Sequence, residues 1–211
     1  MAATIAYAGM VSTSRDAVAS AAHDADAIDV ARIRAGDLDA FESLVHRHEA
    51  TVYRVAFRML GNRDDAADTV QDTFLRAYRA VSRFRGDAAF RTWLVGIAIN
   101  VCRTRLTSAP ARMARRSESL DEEREDAPGP VLPDRRPSPE DAALGAELRA
   151  AVAAALRRLP AEHREILVLR EVEGLEYGEL ASVLRCRLGT VKSRLARARA
   201  ALRAALEGVW L

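Results

Sequence analysis

Residues 185–203 read RCRLGTVKSRLARARAALR. Within this stretch Val191, Leu195, Ala198 and Leu202 fall at i, i+4, i+7 and i+11, one apolar stripe of a helix running from about Gly189 to Leu206. The opposite face carries Lys192, Ser193, Arg194, Arg197, Arg199 and Arg203, and with Arg185 and Arg187 the segment holds seven basic residues and no acidic one. Just upstream, Leu175, Leu180, Ala181 and Leu184 give a shorter helix its inner face. Two helices joined by a tight turn, the second apolar on one side and cationic on the other, form a helix-turn-helix of the kind that enters a DNA major groove. Lys or Arg near the start of such a helix reaches base edges, each good contact discriminating by about 1–3 kcal/mol. The outer arginines would hold phosphates and make binding strongly salt-dependent. A cationic face that is merely solvated, or that meets acidic protein or lipid, is the competing reading.

The same domain extends upstream. Leu148, Val152, Ala155, Leu156 and Leu159 form a helical stripe closed by Pro160, and Ile166, Leu167 and Leu169 belong to a second helix stopped by Gly174. Before it the composition changes. Residues 107–140 hold six of the seven prolines and the acidic run Glu118, Asp121, Glu122, Glu123, Glu125 and Asp126. So few apolar residues cannot offset the entropy of ordering, so this stretch is expected to be a flexible linker.

A second helical domain is expected over 28–106. Asp39 is placed to cap a helix with Phe41, Leu44, Val45, Val52, Val55, Ala56 and Met59 on its inner stripe, ended by Gly61. Asn62 caps the next helix, whose stripe is read as Ala67, Val70, Phe74, Ala77, Tyr78 and Val81. A third buries Phe90, Leu94, Ile97, Ala98 and Val101. The expected fold is therefore all-α, two small helical domains on a flexible linker. Residues 1–27, Ala-rich and without a sustained stripe, read as a mobile extension that includes a start ahead of Met10, or as a further amphipathic helix.

Composition narrows the function. The formal net charge is only +2, so partners must be read from local charge. Cys102 and Cys186 stand far apart with no CxxC, against a cysteine zinc site or a disulfide framework. The early apolar residues are broken by Gly9, Ser12 and Ser14 and make neither a signal peptide nor a span, so a cytoplasmic location away from membranes is expected. His46 and His48 point to nearly opposite sides of a helix. No nucleophile–base pair or phosphate loop is seen, so no catalytic residue, cofactor or metal is expected.

Asp65, Asp68 and Asp72 share a helix face with Gln71 beside them. That face suits docking on a basic helix, simple solvation, or a shared metal ion. Arg76, Arg79, Arg83, Arg85, Arg91, Arg103 and Arg105 against Asp87 make the following loop and helix cationic. Such a surface suits single-stranded DNA, with Phe84, Asn100 and the Arg85-Gly86-Asp87 loop as candidate contacts. Trp93 and Phe90 both read as wedges at a strand fork or as core, Trp93 equally and Phe90 with core preferred.

With these segments in view, the chain resembles the extracytoplasmic-function sigma factors. Gly189-Thr190-Val191-Lys192-Ser193-Arg194-Leu195 with Arg197-Ala198-Arg199 is similar to that family's −35 recognition helix, and Leu159-Pro160 with Arg164-Glu165 to the start of the same domain. Asp65 to Tyr78 resembles the core-polymerase-binding helix. Phe84-Arg85-Gly86-Asp87, Phe90-Arg91-Thr92-Trp93-Leu94 and Ile97-Ala98-Ile99-Asn100 resemble the −10 reading and melting segment. The resemblance implies core contacts at Asp65, Asp68, Gln71, Asp72 and Leu75, made to the β′ clamp coiled coil. It implies −10 contacts at Phe84, Arg85, Gly86, Asp87, Arg91, Trp93, Asn100 and Arg103, and −35 contacts at Arg187, Thr190, Lys192, Ser193, Arg194, Arg197 and Arg199. Relatives often carry Gly where this chain has Arg185. A side chain in a left-handed turn there costs about 1 kcal/mol.

The implied partners are the β′ and β subunits of core RNA polymerase, promoter DNA and, commonly in such a family, an anti-sigma factor. The acidic linker either occupies a basic nucleic-acid channel of the polymerase or is a plain tether. Two other functions fit parts of the chain: a stand-alone helix-turn-helix repressor or activator, and a metal-dependent enzyme built on Asp65, Asp68 and Asp72.

Overall fold

The computed structural model describes residues 23–108 and 139–207, and for 139–147 the backbone alone. Among the described residues every regular element is helical. The first, α1, covers residues 23–34. It is followed by α2 (Ala40–Leu60), α3 (Arg63–Ala80), a 3₁₀ turn (Val81–Arg83) and α4 (Phe90–Thr107). Then come α5 (Pro139–Arg158), α6 (Ala161–Leu167) continued by a π turn (Val168–Val172), α7 (Tyr177–Val183) and α8 (Leu188–Glu207). Most of the expected linker and extension, including the acidic run, lies outside the described residues. Residues 23–27, read from sequence as part of the extension, are helical, and Asp26 is buried.

Local chemistry explains most boundaries. Gly61 ends α2 in the left-handed conformation (φ 78°) and its N–H donates to the Phe57 carbonyl. The Asn62 side chain then accepts from the Asp65 N–H at 3.0 Å, capping α3 as its position predicts. The start of α2 differs from expectation. Asp39 makes no side-chain cap; instead its own N–H donates to Asp37 Oδ1 at 3.2 Å. Arg32, hydrogen-bonded to Asp37, holds that carboxyl below its ordinary value. The turn is organised from Asp37, so an Asx-type turn has taken the place of the cap.

The inner face of α3 is rotated from the one read in sequence. Ala66, Thr69, Thr73, Phe74 and Ala77 are buried, while Ala67 and Tyr78 are exposed. Thr69 and Thr73, outside the stripe read from sequence, lie on this buried face, and their hydroxyls have no hydrogen-bond partner. On α5 Leu148 is exposed (51%), so its stripe begins at Val152.

The two domains pack against each other, and α4 is the shared wall. Phe90, Leu94, Ala98 and Val101 are buried as expected, but so are Val95, Ile99 and Cys102. A helix covered on more than one side loses a clear amphipathic pattern. Gly96 faces Val183 of α7, where a Cβ would lie 3.8 Å from a Val183 methyl. Arg164, buried at the start of the second domain, donates to the Leu156, Arg157 and Leu159 carbonyls at the end of α5. It also donates to the Met59 carbonyl in the last turn of α2. One guanidinium thus satisfies acceptors at two helix C-termini, where a cation also meets the negative dipole end.

Candidate nucleic-acid and polymerase interface

The helix-turn-helix is α7 and α8. At α7 the Glu176 side chain accepts from the N–H of the third helical residue, and Glu179 returns the bond to the Glu176 N–H at 2.8 Å. This reciprocal cap fixes the short helix. Its exit passes through Arg185 at φ 50°, the one non-glycine residue with positive φ among those described. The expected left-handed turn is therefore present, and an L side chain occupies it.

Along α8, Val191, Leu195 and Ala198 are buried. Arg187, Lys192, Ser193 and Arg197 are exposed, and Thr190 is half-buried, its carbonyl taking the Ser193 hydroxyl at 3.1 Å. The cationic face is not uniform, however. Arg194 lies at one border of the apolar stripe, 3.7 Å from Glu162. Arg199 lies at the other, its Nη2 2.7 Å from Glu171 and its pKa raised by that bond. The helix thus offers Arg187, Lys192, Ser193 and Arg197 outward, while carboxylates of α6 and the π turn hold Arg194 and Arg199 at its flanks. Spacing alone placed all of them on one face; the packing partners separate them.

The candidate polymerase contacts of α3 fall into two adjoining parts. Asp65, Asp68 and Asp72 surround the Arg105 guanidinium of α4 at 3.6, 3.4 and 2.9 Å. The cation between these carboxylates is a side chain, and the acidic face is partly neutralised within the domain. Gln71 and Leu75 instead border a shallow apolar groove with Phe41, Phe74 and Tyr78. Leu75 is 55% and Tyr78 43% exposed, unusual for side chains that size.

The candidate −10 residues are likewise divided. Arg85, Gly86, Asp87 and Asn100 are exposed. Phe84 is half-buried in an aromatic cluster, 5.7 Å from Phe90 and 5.1 Å from Trp93 between ring centroids. Phe90 is core at 1% exposure, whereas Trp93 is half-buried. Arg91 and Arg103 are turned to the second domain. Arg91 donates to both the carbonyl and the carboxylate of Glu173, and Arg54 of α2 reaches the same carboxylate at 2.8 Å. Arg103 makes a two-pronged pair with Glu165. Burial pushes the Glu165 carboxyl above its ordinary value against the pull of Arg103.

Sequence reasoning passed over two sets of residues. Arg54, Glu173 and Glu179 carry no pattern of their own, and the family-like Arg164-Glu165 stretch names no partner for Glu165; all four meet their partners only through tertiary packing. Asp26 and Asp29 of α1 meet Arg47, at 2.8 Å for the Asp29 pair, and buried His48 lies 2.9 Å from Asp26. A carboxylate–histidine pair 22 residues apart gives no local signal.

The family description "Sigma-70 region 2" matches residues 44–126, and "Sigma-70, region 4" matches residues 149–202. The RNA polymerase sigma-H factor of Pseudomonas aeruginosa is 39% identical over 178 residues, spanning 84% of this chain and 92% of that one. This chain belongs to the extracytoplasmic-function sigma factors. The ECF RNA polymerase sigma-E factor of Escherichia coli K12 is 37% identical over 177 residues, with the same coverage of each. Among solved structures, CnrH in complex with the cytosolic domain of CnrY is 32% identical at a TM-score of 0.62, covering 88% of this chain and 99% of CnrH. The sigma factor RpoE of Bartonella quintana, in complex with the anti-sigma factor NepR, is 25% identical at a TM-score of 0.58, covering 81% and 98%.

Proposed function

We propose that this sigma factor directs core RNA polymerase to specific promoters, using the two surfaces described above. The observation that carries the reading is their pairing in one chain: an exposed apolar groove beside an acidic strip on α3, and an exposed Lys-Arg reader face on α8. A stand-alone repressor or activator would need only the reader helix. Region 2 is assigned to residues 28–106, extended by residues 23–27 at the start of α1, and region 4 to residues 141–208, joined through 107–140.

In this reading Leu75 and Gln71 dock on the polymerase through the groove, and Asp65, Asp68 and Asp72 exchange Arg105 for basic groups of the β′ subunit. Phe84, the Arg85–Asp87 loop, Trp93 and Asn100, with Arg91 and Arg103, hold the −10 strand. Arg187, Thr190, Lys192, Ser193 and Arg197 read the −35 duplex, with Arg194 and Arg199 at its edges on phosphate. Each contact alone is weak, and tethering the two domains raises the effective concentration of the second once the first is made. No covalent chemistry, metal or cofactor enters, and the chain acts in the cytoplasm. No described helix is long and apolar enough to cross a membrane. The likeness to CnrH and RpoE supports an anti-sigma protein as a further partner.

Transcription in vitro with core polymerase and a promoter library, with and without the chain, tests the proposal. Initiation at a defined subset of promoters only in its presence is expected, and none should remain with Asp68→Arg. Specific duplex binding without polymerase, and no association with core, would favour the stand-alone regulator instead.

A further inference from the structure

Leu188, the first residue of α8, is 46% exposed. A lone leucine in water is ordinary on a protein surface, so exposure by itself carries no meaning. Its place does. Leu188 stands three residues before Val191, in register with the buried Val191, Leu195 and Ala198, and spacing alone would count it as core. Instead it lies in the middle of the reader surface. Arg187 and Gly189 on either side of it are exposed, and exposed Lys192 follows one helical turn later.

The backbone of Leu188 is held. The Arg187 carbonyl accepts from the N–H groups of Thr190 at 2.9 Å and Val191 at 3.1 Å, which makes Leu188 part of the helix and not of a loose turn. Beside it there is room. A Cβ built on Gly189 would meet nothing within 4 Å beyond its chain neighbours and its own helix. An apolar side chain is thus presented from a fixed position, among cations, on a helix suited to a major groove.

The surrounding charge selects the occupant. An apolar protein partner would have to desolvate Arg187 and Lys192 around the leucine. DNA instead supplies phosphates for the cations and one apolar group on the groove floor, the C5-methyl of thymine; the other features that base edges offer there are hydrogen-bond donors and acceptors. The −35 readers assigned above are all polar or charged, and Lys and Arg among them suit guanine. The thymine methyl is left to Leu188.

We propose that Leu188 is a specificity-determining residue, packing on the methyl group of a thymine in the −35 element. The inference rests on the promoter-directing function proposed above. Four residues of helix span about 6 Å, close to two base-pair steps of about 3.4 Å. The thymine should therefore lie within two base pairs of the position whose preference Lys192→Ala changes.

Holoenzyme assembled from core polymerase and the full chain tests this on a duplex carrying a promoter recovered from the library. Each −35 thymine, on either strand, is replaced in turn by deoxyuridine, which removes the methyl and keeps every hydrogen-bonding edge. With the wild-type chain, one replacement should weaken binding about fourfold, the worth of one buried methyl. Leu188→Ala should weaken binding to the thymine duplex at least as much and abolish the difference between thymine and deoxyuridine at that position. Preferences set by Lys192 should remain. Because Leu188 is exposed, the variant should melt as the wild type does.

A −35 element in which no methyl matters would overturn the contact, and so would a methyl effect that persists in Leu188→Ala. Equal weakening of the thymine and deoxyuridine duplexes by Leu188→Ala would put the leucine on sugar or phosphate and overturn it as well. The two ideas fail differently. If holoenzyme shows no preference among −35 sequences, the promoter-directing reading falls and the contact with it; a clear preference without a methyl effect removes the contact alone.

Discussion

Arg54 and Glu173, 119 residues apart, meet at 2.8 Å with the Glu173 side chain fully buried. The pair ties α2 of region 2 to the end of the π turn in region 4, and Arg91 closes on the same carboxylate. The two sides differ in burial. The arginines keep about a third of their surface in water, at 29% and 37% exposure, while the carboxylate keeps none.

That difference predicts unequal costs of removal. Replacing Arg54 and Arg91 together by Ala leaves a buried, uncompensated charge and should destabilise the protein by about 3 kcal/mol. Glu173→Ala leaves guanidinium groups that water can reach and should cost about 1 kcal/mol. Urea unfolding monitored by circular dichroism measures both, and equal costs would mean that the carboxylate is better solvated than its burial indicates.

Arg185 holds a left-handed conformation at the exit of α7. Arg185→Gly relieves it and should raise stability by about 1 kcal/mol, seen as a higher melting temperature. No gain would show that the Arg185 side chain contributes as much as the strain removes.

The division of the cationic face predicts different DNA phenotypes. Lys192→Ala should change which −35 sequences are used and weaken the best of them by about 1–3 kcal/mol. Arg199→Ala, already paired with Glu171 and placed at the flank, should weaken all sequences alike and flatten the salt dependence slightly. Holoenzyme binding to −35 variants at two salt concentrations separates these outcomes.

Burial pushes the Cys102 thiol up to about 12 from its ordinary 9.0. The thiolate is the reactive form, so iodoacetamide at pH 8 should modify half-buried Cys186 and reach Cys102 only in denaturant. Because the folded pKa lies above the unfolded one, the stability tied to this thiol is complete below about pH 9. It is lost as pH rises toward 12. Thermal melts between pH 9 and 11 should fall less steeply for Cys102→Ala than for the wild type.

Local patterns made much of the protein legible before any coordinates. The spacing of Val191, Leu195 and Ala198, the Gly61 stop and the Asn62 cap depend on contacts within a few residues, so they appear directly in the chain order. The segments proposed to meet polymerase and DNA could be picked out for the same reason: each is a short run of one helix with, at most, the loop before it.

What tertiary structure alone decided depends on residues distant in sequence. The buried sides of α4 at Val95, Ile99 and Cys102 follow from a second domain packing there. The partners of Arg54, Arg91, Arg103 and Arg105, the separation of Arg194 and Arg199 from the reader face, and the Asp26–His48 pair all follow from which helix lies opposite. Helical periodicity is set by bonds four residues apart and survives in isolation, whereas a guanidinium acquires its carboxylate only when the folded chain brings the two together.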